Sequence, residues 1–155
     1  FFAHMEEIDL CWRLKNRGQK VGVSGSANVY HLGGGTLSKL SSTKVFLNFR
    51  NNLLILLKNE DGFWPAFIFR RLILDGIAAL RFLLRGEISF FLSIAKAHLV
   101  FYTMIFSCYN KRRIENKAKK SSSHNKTGRY SQSIIIDYFF RGIKKYSQLD
   151  QSKFG

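Results

Sequence analysis

The sequence predicts a mixed α/β chain that turns wholly helical toward its C-terminal half. Three observations carry this. Residues 5 to 17 place Glu7, Leu10, Cys11 and Leu14 at helical spacing, Lys20 to Ser24 alternates with Val21 and Val23 on one face, and two long apolar stretches begin at Val45 and Trp64.

The first helix is expected to carry an ion pair between Asp9 and Arg13, four residues apart, and to stop at Gly18. After the extended segment at Lys20 to Ser24, Gly25-Ser26 reads as a turn, Ala27 to His31 as a second short extended segment, and Gly33-Gly34-Gly35 as a loop. Hydroxyls at Ser41, Ser42 and Thr43 can cap a helix over Val45 to Leu57, which closes at Lys58-Asn59 and the Asp61-Gly62 turn. From Trp64 to Leu84 five charged positions, Arg70, Arg71, Asp75, Arg81 and Arg85, fall within an arc of roughly 140° at about 100° per residue. An amphipathic helix follows, with its other face wholly apolar.

Ile88 to Tyr109 is long enough to cross a bilayer, but Lys96 and His98 stand near its middle. A lysine there costs about 2.5 to 3.5 kcal/mol on the insertion scale, so a span is not favoured. Residues 110 to 130 are basic and nearly free of large apolar groups, and read as a flexible linker. A compact apolar run, Ile134 to Phe140, restores an ordered pattern in the tail over 131 to 155. The expected parts are therefore 1 to 62, 63 to 109, 110 to 130 and 131 to 155.

The net charge is +15, of which +7 lies in residues 110 to 130. Such a charge attracts polyanions of any kind, whether nucleic acid, anionic lipid or nucleotide phosphate, and does not choose among them. Cys11 and Cys108 have no paired spacing and read as buried thiols in a reducing compartment. The sequence begins at Phe1-Phe2-Ala3-His4 with neither a methionine nor a signal-type segment, and the expectation is a piece of something longer.

Three carboxylates, Glu6, Glu7 and Asp9, lie within four residues at the start of the first helix, where the helix dipole favours negative charge. The run from Phe1-Phe2 through Glu6-Glu7-Ile8-Asp9-Leu10 to Arg13 and Gly18 resembles the acidic motif of family 2 glycosyltransferases. Val29-Tyr30-His31-Leu32-Gly33-Gly34-Gly35-Thr36 is similar to that family's His-Gly-rich segment, and Asn48-Phe49-Arg50-Asn51-Asn52 to its Arg-Asn helix.

The resemblance covers residues 1 to about 60 and implies an α/β fold, the C-terminal portion of a Rossmann-like GTA domain of the rhamnosyltransferase-like kind. An α-helical amphipathic, membrane-associated extension would follow it. It implies an inverting transfer of sugar from a nucleotide-sugar donor to a saccharide or lipid-linked acceptor, in which a carboxylate takes the proton of the attacking hydroxyl. Glu7 matches the base, where the family more often has Asp, and Glu6 matches its acidic neighbour. Asp9 and Arg13 match supporting positions, and Arg50 a donor-phosphate contact. His31 matches a ligand to a divalent metal, Mn²⁺ or Mg²⁺; a neutral imidazole suits Mn²⁺ better. The family's Asp-x-Asp metal motif is not in this sequence, so the 155 residues are expected to be inactive alone.

The arc of Arg70, Arg71, Arg81 and Arg85 suits a helix lying on the inner face of the plasma membrane near anionic head groups. Two other readings compete: a basic nucleic-acid-binding module, supported by the 110 to 130 segment, and a two-span membrane protein using 64 to 84 and 88 to 109. The first has no use for the acidic cluster, and the second would need a buried partner for each of Arg70, Arg71, Asp75 and Lys96; no nucleic acid is expected as a partner.

Overall fold

The computed structural model describes residues 5 to 28, 30, 41 to 119 and 127 to 155. These form five α-helices, α1 (Glu6–Asn16), α2 (Ser42–Asn59), α3 (Trp64–Leu84), α4 (Ile88–Ala118) and α5 (Ile134–Phe139), then two single 3₁₀ turns, Tyr146–Gln148 and Gln151–Lys153.

Helix α2 is the centre. Ser41 caps it, its hydroxyl accepting the Lys44 N–H at 3.1 Å. In its second half Leu53, Leu54, Ile55 and Leu57 are all buried, so apolar side chains point in almost every direction around the axis. A helix of that kind needs neighbours on several sides. α4 supplies the largest contact, α3 the next and α1 a smaller one. Leu53, Leu54 and Leu57 of α2, Ile68 of α3, and Phe101 and Cys108 of α4 form the core, with Trp64, Leu72, Met104 and Ile105 packed against it.

The two glycine-ended turns are specified locally. α3 closes with Gly86 at φ +74°, and Glu87 N–H reaches back to the Phe82 carbonyl at 2.9 Å. Gly18 does the same for α1, with φ 77° and the Gln19 N–H on the Leu14 carbonyl at 2.9 Å. Only glycine takes that left-handed conformation freely, and it leaves the helix-end carbonyls satisfied.

Among the described residues there is no strand, only an isolated bridge between Tyr130 and Phe154. The expected α/β class is thereby corrected to an all-helical one. Lys20 to Ser24 is irregular, with Val23 fully exposed, and Ala27, Asn28 and Tyr30 belong to no element. Two alternating valines meet the strand pattern, but a strand is held by a paired neighbour, and none is present among the described residues.

The charged arc of α3 is divided. Asp75 is buried, with Arg71 Nε 2.7 Å and His98 Nε2 3.2 Å from its carboxylate. The charged side around Asp75 is therefore a packed side. The stripe Phe69, Ile73, Ile77, Leu80 and Leu84 is exposed instead. α4 leaves a second apolar stripe exposed, Leu92, Leu99, Tyr102 and Phe106. α4 continues to Ala118, so residues 110 to 118 of the expected linker are helical. Arg112 explains why: it is buried, and its guanidinium donates to the Leu57 and Glu60 carbonyls at 2.9 and 2.5 Å, closing the C-terminal end of α2.

Cys108 lies within the core, its thiol 3.4 Å from the Leu54 carbonyl, and burial pushes its pKa up to about 11. Since the thiolate is the reactive form, Cys108 is expected to resist maleimide in the folded chain at mildly alkaline pH and to react on unfolding. Peptide mapping checks this; labelling of Cys108 at equal rates in both states would contradict the packing.

Candidate active site

The acidic end of α1 is positioned by a polar dock. Asp9 and Asn16 are buried, and Arg13, between them on the same face, is part-buried. Asp9 accepts from Arg13 Nε at 3.0 Å, from Lys58 Nζ at 2.8 and 3.0 Å, and from Asn59 Nδ2 at 2.8 Å. Asn16 Nδ2 donates to the Asn59 carbonyl at 3.0 Å, and Arg17 reaches Glu115 of α4 at 2.7 Å. Burial alone would push the Asp9 carboxyl up. The hydrogen bonds from Lys58 and Asn59 and the charges of Lys58 and Arg13 outweigh it and hold the group below its ordinary value.

This dock departs from the apolar face that the spacing suggests. Leu10 is half-exposed, while Cys11 and Leu14 are only partly covered. The inward side is Asp9, Arg13 and Asn16, a polar helix face that the hydrophobic pattern does not register. Lys58 and Asn59, which mark only a helix end in the sequence, supply its partners.

The consequence is that Glu6 and Glu7 stand exposed in the first turn of α1, on the free side of a helix clamped one turn later. Neither has an ion pair among the described residues. Met5, just before them, holds a left-handed backbone at φ 74°, a conformation that costs a side-chain-bearing residue roughly 1 to 2 kcal/mol. The entry into the acidic turn is thus fixed by the fold rather than by local preference. Two adjacent, solvent-facing carboxylates on a rigid helix can accept protons or hydrogen bonds from a hydroxylated ligand.

The remaining predicted residues lie elsewhere. Arg50 sits on α2 eight residues before Lys58, about 12 Å along the axis, and is not joined to the acidic turn. Its Nε and Nη2 donate to Asn51 Oδ1 at 3.1 and 2.9 Å. Arg70, Arg81 and Arg85 are exposed on and just past α3, and Arg71 turns inward to Asp75. His31 and the glycine run lie outside the described residues. Among those described, no three ligand side chains come together that could hold a metal ion. Glu6 and Glu7 therefore do not make a divalent-metal site by themselves.

No family model, no curated protein and no solved structure matches the chain. The resemblance to family 2 glycosyltransferases is corrected accordingly. No family match supports it, and an all-helical arrangement conflicts with a fragment of an α/β GTA domain. Of the residues that carry the resemblance, Asp9 and Asn51 are buried structural groups.

Proposed function

We propose that this chain is a membrane-apposed helical part of an enzyme that transfers sugar from a nucleotide-sugar donor to a saccharide or lipid-linked saccharide acceptor, with inversion at the transferred sugar. Glu7 takes the proton of the attacking acceptor hydroxyl, and Glu6 beside it orients that hydroxyl. The observation that supports this most is the pairing of an exposed Glu6-Glu7 turn with the buried Asp9 clamp directly beneath it. A general base has to be held at hydrogen-bond distance from the proton it takes, and a clamped helix meets that requirement better than a loop. The donor is held by residues outside the acidic turn.

The exposed stripes of α3 and α4 support a place at the cytoplasmic membrane surface. Phe69, Ile73, Ile77, Leu80 and Leu84 recur at three- and four-residue steps, with Arg70, Arg81 and Arg85 also exposed. An apolar face with cations nearby is the composition of a helix lying in the interface plane of an anionic bilayer. α4 is the one described helix long and apolar enough to cross a membrane. Its inner side packs against α2, which carries Asn48, Arg50, Asn52 and Lys58, so an in-plane position suits the pair better than a crossing.

The experiment is donor-dependent labelling. Membranes from cells expressing the complete gene product are expected to pass radiolabelled sugar from a nucleotide sugar into lipid-extractable or polymeric saccharide, above membranes lacking it. No incorporation from any of the common nucleotide sugars would remove the proposal.

A further inference from the structure

Helices α2, α3 and α4 carry a marked imbalance of charge. α2 has no acidic residue, α3 has only Asp75 and α4 only Glu115. Both acids are taken, Asp75 by Arg71 and His98, and Glu115 by Arg17 and Arg13. Lys58 and Arg71 have carboxylate partners in Asp9 and Asp75, whereas Arg50 and Lys96 form no ion pair among the described residues.

These two stand against the same aromatic ring. The Arg50 guanidinium of α2 lies 5.1 Å from the centroid of the Phe46 ring, and the Lys96 ammonium of α4 lies 5.5 Å from the same centroid. Arg50 is also tied through two of its nitrogens to Asn51, which is wholly buried, so the guanidinium is oriented rather than free. One turn on, Arg71 lies 5.7 Å from the Phe49 ring. Two cations gathered on one aromatic ring repel each other, and the ring's quadrupole offsets only part of that cost. Burial without a counter-charge also pulls the Arg50 pKa down from its ordinary value, the signature of a cation that an anion would stabilise.

We propose that Arg50 and Lys96, gathered at Phe46, form a site for a phosphoryl group, and that a diphosphate engages both cations at once. A planar guanidinium bonds two phosphate oxygens in parallel, and the compact ammonium meets a third. The site stands on its own geometry, about 12 Å or more along α2 from the residue that clamps Glu6 and Glu7. It holds whether or not those carboxylates act as proposed.

The phosphate has two possible sources, a free diphosphate or a lipid head group, and the test separates them. The full chain in neutral detergent is titrated with inorganic pyrophosphate, and the full chain alone is floated with phosphatidylcholine vesicles made with and without phosphatidic acid. Arg50→Gln and Lys96→Met are compared with Arg113→Gln, an exposed arginine of α4 outside the cluster, after circular dichroism confirms that each folds. The site predicts that Arg50→Gln and Lys96→Met each weaken pyrophosphate binding about tenfold or more, while Arg113→Gln leaves it within about twofold. If the ligand is a head group, the same two variants lose the phosphatidic-acid-dependent flotation instead. Equal binding by all four proteins, or an equal loss in Arg113→Gln, overturns the site and leaves only diffuse positive charge.

Discussion

Asp9→Asn is expected to destabilise the chain by about 3 to 5 kcal/mol, the cost of breaking a buried ion pair by removing one partner. The substitution keeps the shape of the side chain but leaves Lys58, whose side chain is 13% exposed, and Arg13 without their counter-charge. It also places an amide nitrogen where Lys58 and Asn59 both donate. Because Asp9 is the hub between α1 and the end of α2, the loss should fall on α1 first, seen as faster hydrogen exchange over Glu6–Asn16 than over α2. Lys58→Met should cost less, since Arg13 and Asn59 still hold the carboxylate.

The same cluster sets a pH dependence. The Asp9 pKa is lowered in the folded chain, so the folded state binds this proton less readily than the unfolded one. Its contribution is fully present above the unfolded value of about 3.9 and is lost as pH falls through the lower folded value. Urea midpoints of the native chain should therefore drop as pH falls below about 4, with a shallower drop in Asp9→Asn. Parallel profiles for the two proteins would mean that Asp9 is not the group responsible.

How far the sequence discloses this structure depends on which physics sets each part. The helices at Glu6–Asn16, Ser42–Asn59 and Trp64–Leu84 are legible because their signals are local: the Ser41 cap, the Gly18 stop, the periodic leucines. The Asp9–Arg13 pair is legible for the same reason, being one helical turn apart. Non-local partners are not. Nothing in Lys58 or Asn59 announces a contact with Asp9 some fifty positions earlier, and nothing in Arg112 announces that it closes α2, so a basic segment reads as solvated linker.

The strands fail for a related reason. Val21 and Val23 satisfy a two-residue period, but a strand exists only if another pairs with it. On α3 the periodicity divides charged from apolar positions, and Arg70, Arg81 and Arg85 are exposed. The burial of Asp75 has no local signal, because it depends on His98, which comes from α4 to meet it. Of the candidate site, the acidic turn is visible in the sequence and its clamp is not. The meeting of Arg50 and Lys96 at Phe46 depends on how α4 lies against α2 and has no sequence signal at all.

The second large effect concerns Glu7. It is exposed, and its replacement by Gln removes the base while keeping size and leaving the Asp9 clamp intact, so the thermal midpoint should stay within experimental scatter. General-base catalysis contributes about 10²- to 10⁴-fold, and the transfer rate should fall by that factor. Glu6→Gln should cost less, with its effect weighted toward acceptor KM, because an orienting hydrogen bond acts on binding as well as on the transition state.

The most direct measurement is the initial rate of sugar transfer by the complete gene product carrying Glu7→Gln, at saturating donor and acceptor and beside the unaltered protein. The account predicts an unchanged melting midpoint together with a rate lowered about 10²-fold or more. A Glu7→Gln enzyme that melts normally and transfers sugar at the unaltered rate would contradict the assignment of the acidic turn as the acceptor base.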